Sequence, residues 1–439
     1  MQLFSSPDSP KPETFAALVD RLGGAEAIEA LARRHSAFHR ARHIKSAADL
    51  LRLILAYAPG GRSLRKLAAE AAASGVVDVS DVALLTRFRR CGDWLIALCE
   101  NLLARRDASA GGRAHKNGVR LIDGSRIEGP GKTCFRLHLC YDVAGQRIAD
   151  FAITPLDKGE TLDRVGVQPG DIAIADRGYP QPDGMRATRD AGADLLVRLT
   201  WNSLNLRDSA GEPVDWLALF AKADAAGHFD MPVTVHKARG RFKPLPMRLV
   251  ITPKPPDIAE RARDVARHNA RKDQHDVDPR TLRAAGYMIL ITSLDAIAFP
   301  PQLLVRLYRV RWQIELAFKR LKSILRLDRL PAKDPGLARA WIAAHLLLAL
   351  LIEDTTAQMA DFSPSESRNA RARLHARPEP SARPRALATH LPPGGCPESH
   401  HLAGRDACPN RGNVRPKMST AVRTTKATII ATSSCTILT

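Results

Sequence analysis

The sequence predicts a mixed α/β protein preceded by an all-helical region, and three observations carry that expectation. From Glu13 to about Arg106, apolar residues recur at every third and fourth position, the signature of amphipathic helices. After a stretch rich in glycine, alanine and serine, from Ala108 to Gly118, the pattern changes to short apolar runs bounded by turn residues, which reads as strands. Helix-like and strand-like segments then alternate before two long helical segments, as expected for a mixed sheet with helices packed on it.

In chain order, the first region (1–107) contains the helical runs AALVDRL, AIEALARR, ADLLRLILAYA, LRKLAAEAAA, VALLTRFRR and WLIALCENLLARR. A helix starting near Ser63, a break at Gly75 and a second helix capped by Ser80 or Asp81 have helix-turn-helix spacing. The second of these helices carries Arg87, Arg89 and Arg90, so the region reads either as a DNA-binding domain with a basic face or as a helical bundle with a solvated one. Residues 118–200 form the first part of a core, with strands at VRLIDGS, FRLHLCYDV and RIADFAIT, a helical turn from Thr161, a strand at DIAIADRG, a helix from Gln181 to Ala191 and a strand at DLLVRLT. Residues 201–297 read as a β-rich insertion (MPVTVHKA, PMRLVITP, YMILITSL) with a basic helix from Ile258 to Arg271. Residues 298–360 complete the core with one long amphipathic helix from Pro300 to about Arg326 and an apolar helix from Ala338 to Ala357. Beyond Asp361 no apolar period is sustained, and residues 361–439 read as a disordered or aberrant tail, with a shifted reading frame one explanation.

Composition narrows the function classes. The 439 residues include 66 Lys and Arg against 46 Asp and Glu, a net charge of +20, which favours a polyanionic partner such as nucleic acid. The N-terminus lacks the charged, apolar and small-residue sections of a secretory signal. The longest apolar run, Ala340 to Ile352, contains His345 and falls short of the roughly 20 residues of a membrane span. Seven cysteines without a CxxC pair point to neither a disulfide framework nor a zinc site, and reduced cysteines in the cytoplasm are the simplest reading.

Asp123 closes the first strand motif (LIDGS) and Asp176 the fourth (IADRGY). Either alone reads as a turn former. Tyr308, Arg311, Glu315 and Lys322, at helical offsets that share a face within roughly 60°, add a third element. That face reads either as a solvated stripe with an Arg to Glu pair at i and i+4, or as the carrier of a third carboxylate facing the sheet. In the second case three carboxylates need cations, and hard oxygen ligands suit two Mg²⁺ (or Mn²⁺) ions rather than zinc. Trp312 reads as a packing residue, with DNA stacking as the alternative, and His138 as structural. Arg177 and Tyr179 are expected to shape the loop behind Asp176.

In these motifs the chain resembles the insertion-sequence transposases with a DDE triad, the group named after insertion sequence four. The signature of that group, Tyr, two residues, Arg, three residues, Glu, six residues, Lys, stands here as YRVRWQIELAFKRLK, preceded by LIDGS and ADRGY in order, and the resemblance covers about Arg120 to Ala357. It implies an RNase H-like core in which Asp123, Asp176 and Glu315 are the catalytic metal ligands, while Tyr308, Arg311 and Lys322 contact phosphates near the transposon end. Trp201 is a candidate for stacking on an unpaired base. It further implies cleavage at terminal inverted repeats, strand transfer into target DNA, a homodimer on double-stranded DNA, no membrane and a nucleoid-associated cytoplasmic location. The alternatives are an RNase H-fold nuclease that cuts without joining, and a DNA-binding remnant of a decayed element.

Overall fold

A computed structural model describes residues 15–58, 62–109, 118–237, 242–272, 274, 276–327 and 330–361. The elements up to Asp354 belong to one compact unit. Most of the expected linker, and the tail from 362 onward, lie outside the described residues.

The helical region comprises α1 (Phe15–Arg21), α2 (Gly24–Arg34), α3 (Ala47–Tyr57), α4 (Leu64–Ala73), α5 (Asp81–Phe88) and α6 (Gly92–Ser109). Serines start three of them. The Ser46 and Asp49 side chains form a reciprocal capping box on α3, and the Ser63 and Ser80 hydroxyls accept from the backbone N–H groups of Lys66 and Ala83. Between α4 and α5 the chain turns through Gly75, whose φ of +68° favours glycine. Trp94 on α6 is fully buried and donates its indole N–H to the Ile28 carbonyl at 3.3 Å, tying α6 to α2.

The core follows as β1 (Val119–Glu128), β2 (Cys134–Asp142), β3 (Arg147–Pro155), β4 (Ile172–Ala175), α7 (Pro182–Asp190), β5 (Asp194–Arg198), β6 (Asn205–Arg207), α8 (Trp216–Ala226), β7 (Phe229–His236), β8 (Leu245–Pro253), α9 (Pro256–Lys272), α10 (Pro279–Ala285) and β9 (Tyr287–Thr292). The strands form one mixed sheet in the order β3-β2-β1-β4-β5-β9-β8-β7-β6. Pairing is parallel across β1, β4 and β5 and antiparallel elsewhere. The three strand motifs expected in the insertion are β7, β8 and β9, and they extend the sheet beyond β5.

Alternation along the strands gives the sheet two apolar faces. Leu121, Ile174, Leu196, Leu290 and Val250 pack with the helical region and the closing helices, whereas Ile122, Ala173, Leu195, Ile291 and Leu249 pack with α7, α8 and α10. The closing helices are α11 (Pro301–Arg309), α12 (Trp312–Lys319), a π-helical turn over Arg320–Ile324, and α13 (Pro335–Asp361). By length and hydropathy α13 could cross a membrane, but it is a core helix here. Ala340, Ile342, Ala343, Leu346, Leu347 and Leu350 are fully buried, and Trp341 meets Tyr57 edge to face with ring centroids 5.1 Å apart.

Two local expectations are corrected. Asp123 does not end its strand: β1 runs on for five residues beyond it, paired to β2, and what ends beside Asp123 is β4. The helix from Pro300 is not continuous. Around Val310 the backbone tightens to bonds spanning three residues, with Val310 N–H to Leu307, Arg311 to Tyr308, Gln313 to Val310 and Ile314 to Arg311 at 3.1 to 3.2 Å. No proline or glycine marks this break, so helical periodicity runs through it unnoticed.

The register of β1 on β4 is pinned by a buried ion cluster. Arg120 lies 3.2 Å from both Asp142 and Asp171, and the Asp171 carboxylate also accepts from the backbone N–H groups of Gly118 (3.2 Å) and Gln168 (2.9 Å). Removing one partner of such a buried set leaves charge and donors uncompensated. Asp171→Ala is therefore expected to cost about 3 to 5 kcal/mol in urea unfolding. A loss within roughly 1 kcal/mol, the scale of an ordinary surface change, would contradict this role.

Candidate active site

The parallel pairing of β1 with β4 matches Ile122 to Ala175, so the next residues, Asp123 and Asp176, emerge side by side where β4 ends. The carboxyl ends of parallel strands are where α/β sheets commonly present their functional groups. Asp123 accepts from the Gly124 backbone N–H at 2.9 Å. Asp176 is followed by a turn closed by the Tyr179 N–H on its carbonyl at 3.0 Å, and its carboxylate accepts from the Tyr308 hydroxyl at 3.0 Å.

The break before α12 turns Arg311 into this site. Its Nη1 lies 3.1 Å from Asp123 Oδ2 and its Nη2 3.7 Å from Asp176 Oδ2, and Nη2 also pairs with Glu315 one turn along. One guanidinium thus joins the three carboxylates singled out in the sequence. Glu315 is 56% exposed, against 22% for Asp123 and 29% for Asp176, so it forms the solvent side of the group.

The electrostatics separate the two aspartates. Burial pushes Asp123 up to about 6 despite the opposing pull of Arg311 and the Gly124 N–H. Burial acts the same way on Asp176, but the Arg177 N–H, Arg311, the Tyr308 hydroxyl and Arg198 outweigh it and hold Asp176 below the usual carboxylate range. Burial and the neighbouring Asp176 push the Tyr308 phenol well up, keeping it a donor. Arg311 is raised despite burial by Tyr308 and the three carboxylates.

Other expected residues fall in different places. Lys322, on the π-helical turn, donates to the Arg126 carbonyl of β1 at 3.0 Å, which puts it on the same edge of the sheet as Asp123. Trp201 is not part of the group: its indole N–H donates to the Thr281 hydroxyl at 3.1 Å, and Arg280 covers its ring at 4.6 Å. Trp312 is 55% exposed, which overturns the packing role expected for it. His138 is fully buried against the Thr154 hydroxyl at 3.0 Å, and burial lowers it to about 4. Tyr179 is buried behind the aspartates.

Sequence reasoning missed three neighbours. Glu160 lies beneath both motifs: a Cβ at Gly124 would stand 3.2 Å from its Oε1 and 2.9 Å from the Tyr179 hydroxyl, and a Cβ at Gly178 would collide with its Oε2. This close approach is a physical reason for glycine after each aspartate motif. On the other side, Arg198 stands 4.0 Å from Asp176, and Lys254 is lowered to about 8 by burial and by Arg198, Arg177 and Arg263. Glu160 sits in a polar loop, while Arg198 and Lys254 lie in or just after apolar strands, so no spacing rule singled them out.

Among the described residues, no three His, Cys, Asp or Glu side chains stand ready together as metal ligands. The donor set nonetheless fits a hard divalent cation. Three carboxylates from three segments already share one positive group, Arg311, and all their donor atoms are oxygen. Occupation by a metal would require Arg311 to withdraw.

The chain matches the family model described as a transposase DDE domain over residues 114–352. It is 38% identical over 366 residues to the putative transposase InsL for insertion sequence element IS186A of Escherichia coli strain K12, covering 81% of this chain and 99% of the relative. It is also 38% identical over 367 residues to the transposase for insertion sequence element IS421 of Escherichia coli, with the same coverage.

If Arg311 is the counter-ion of the three carboxylates, Arg311→Ala should lower the melting temperature of divalent-free protein by about 3 °C or more, and millimolar Mn²⁺ should restore much of the loss. Thermal melts with EDTA and with Mn²⁺ check this. A variant that melts with the parent in EDTA would show that the carboxylates do not depend on Arg311.

Proposed function

The chain belongs to the DDE transposases of insertion sequences, and from that premise we propose that Asp123, Asp176 and Glu315 are the catalytic carboxylates of a DNA cleavage and strand-transfer site. The observation that supports this reading best is their convergence, from two parallel strands and one helix, on the Arg311 guanidinium. The core is read as RNase H-like, with residues 1–107 as the DNA-binding domain, 118–200 and 298–360 as the two parts of the core, and 201–297 as the insertion. The family match ends at 352 and about a fifth of this chain has no counterpart in the relatives, which favours reading 361–439 as outside the catalytic machinery.

The chemistry is an in-line displacement at a phosphodiester. Two Mg²⁺ or Mn²⁺ ions bound by the three carboxylates would supply activation of the attacking water or 3′ hydroxyl and stabilisation of the leaving oxygen. The protein's own groups do the rest. Asp123 and Asp176 are fixed by the β1 and β4 backbones, and Tyr308 holds the Asp176 carboxylate in one orientation. Arg311, once released from the carboxylates, carries a planar fork suited to bidentate contact with a phosphate near the transposon end. Lys322 adds a point charge on the same edge. Arg177, Arg198 and Lys254 present further positive charge to the DNA beside Asp176. The substrates are terminal inverted repeats and target DNA, and two copies of the chain act together on paired ends.

Glu315→Gln and Asp176→Asn should each reduce cleavage of end-bearing DNA by more than about 10²-fold, the scale of losing a group that stabilises developing charge. Binding to the same DNA should stay within a few-fold, because neither change touches the N-terminal region. Gel assays of cleavage and binding in Mg²⁺ and in Mn²⁺ read both quantities. Retained cleavage would remove these residues from the triad, and cleavage without joining by the parent protein would favour the nuclease reading.

A further inference from the structure

Unpaired positive charge gathers in a second place, far along the chain from the carboxylates. The loop between α2 and α3 and the C-terminal end of α5 enclose a cleft of about 270 Å³ lined by His39, Arg40, Arg42, Arg87 and Arg90. No ion-pair partner is found for these four guanidinium groups among the described residues. This differs from the arginines of α9, where Arg263 and Arg267 pair with Glu260 and Arg267 also with Asp264. It differs also from Arg89, which lies between Arg87 and Arg90 in sequence but pairs with Asp334 at 3.1 Å. Arg89 therefore serves the fold, and the basic face expected on α5 narrows to Arg87 and Arg90.

Both walls of the cleft are anchored. In the loop, the N–H groups of Ala37 and Phe38 both bond to the Ala32 carbonyl (2.9 and 3.2 Å), and Phe38 and Ile44 are buried on either side of the exposed His39, Arg40 and Arg42. Phe88 at the end of α5 and Cys91 just beyond it are fully buried and fix the backbone carrying Arg87 and Arg90. Four guanidinium forks and an imidazole on a fixed frame are pre-organised for an anion with several oxygens. Packing them together without an acid costs stability through mutual repulsion, a cost that a bound polyanion reverses.

We propose that this cleft is a phosphate-backbone site for duplex DNA. The proposal rests on the transposase reading and deepens it by assigning the role of the cleft. Arg87 lies six residues beyond the first helical position of α5, roughly 9 Å along its axis at 1.5 Å per residue, and Arg90 lies in the turn just past the end of the helix. In a helix-turn-helix the start of the second helix meets base edges. Cations displaced that far, and joined by a loop from another element, meet the flanking phosphates. The site thus contributes affinity and orientation without sequence preference.

The test is fluorescence anisotropy of the full chain on a labelled 40-base-pair duplex of mixed sequence, titrated from 50 to 300 mM KCl. Arg40→Gln/Arg42→Gln and Arg87→Gln/Arg90→Gln should each lose about tenfold or more in affinity at 100 mM KCl, and the log–log salt slope should fall by about 2, near 0.9 per phosphate contact. An equal change of charge on the paired arginines of α9, Arg263→Gln/Arg267→Gln, should alter binding less than about twofold. Melting temperatures identify folded variants, and Arg87→Lys/Arg90→Lys, which keeps the charges, should retain the slope with a smaller loss of affinity. Cleft variants indistinguishable from the α9 control, while the parent binds DNA, would overturn the site alone. No salt-dependent binding by the parent would overturn the DNA reading with it.

Discussion

Three carboxylates cannot share a partly buried site without a cation. At an effective dielectric of 20, two unit charges 4 Å apart repel by about 4 kcal/mol, comparable to a large fraction of a domain's stability. In this protein the Arg311 guanidinium meets that requirement, touching Asp123 and Asp176 on the sheet and Glu315 on its own helix. Much of the surrounding structure serves that contact. The parallel register of β1 and β4 sets the aspartates side by side, the tightened backbone before α12 turns Arg311 inward, and Tyr308 steadies Asp176 from the turn before. An arginine in this position gives the metal-free protein an internal counter-ion. On the function proposed above, it would also couple metal entry to whatever draws the arginine away, and a DNA phosphate has the geometry to do so.

The scaffold behind the site is built to resist displacement. A sheet with apolar side chains on both faces is packed between helices, and its register at β1 is held by the buried Arg120 cluster. The closing helix α13, apolar enough to pass for a membrane span, is instead the centre of the larger core and contacts the N-terminal helices through Trp341 and Tyr57. The surfaces proposed to meet DNA are different in kind. In the α2 to α5 cleft the guanidinium groups have no acidic partner among the described residues, whereas Arg177 and Arg198 share Asp176 at 4.0 Å.

Most of the order of elements was legible from periodicity, and Ser63 and Ser80 marked two of the N-terminal helix starts, but the short β6, α8 and α10 within residues 201–297 went unread. The carboxylates and Arg311 were legible because their spacing is a motif. What periodicity could not reveal was tertiary in origin. The break at Val310 has no local marker, and the extension of β1 past Asp123 depends on its partner β2. Glu160 gains its place from contacts with Gly124 and Gly178 far away in sequence. Charge counting found Arg87, Arg89 and Arg90 but could not tell the one paired to Asp334 from the two left open.

The most direct test of the account is anomalous diffraction from crystals of the chain bound to end-bearing DNA and soaked in Mn²⁺. The account predicts manganese peaks at coordination distance, about 2.0 to 2.2 Å, from carboxylate oxygens of Asp123, Asp176 and Glu315, with the Arg311 guanidinium moved onto a phosphate. Manganese bound elsewhere, with Arg311 still seated between Asp123 and Glu315, would contradict it.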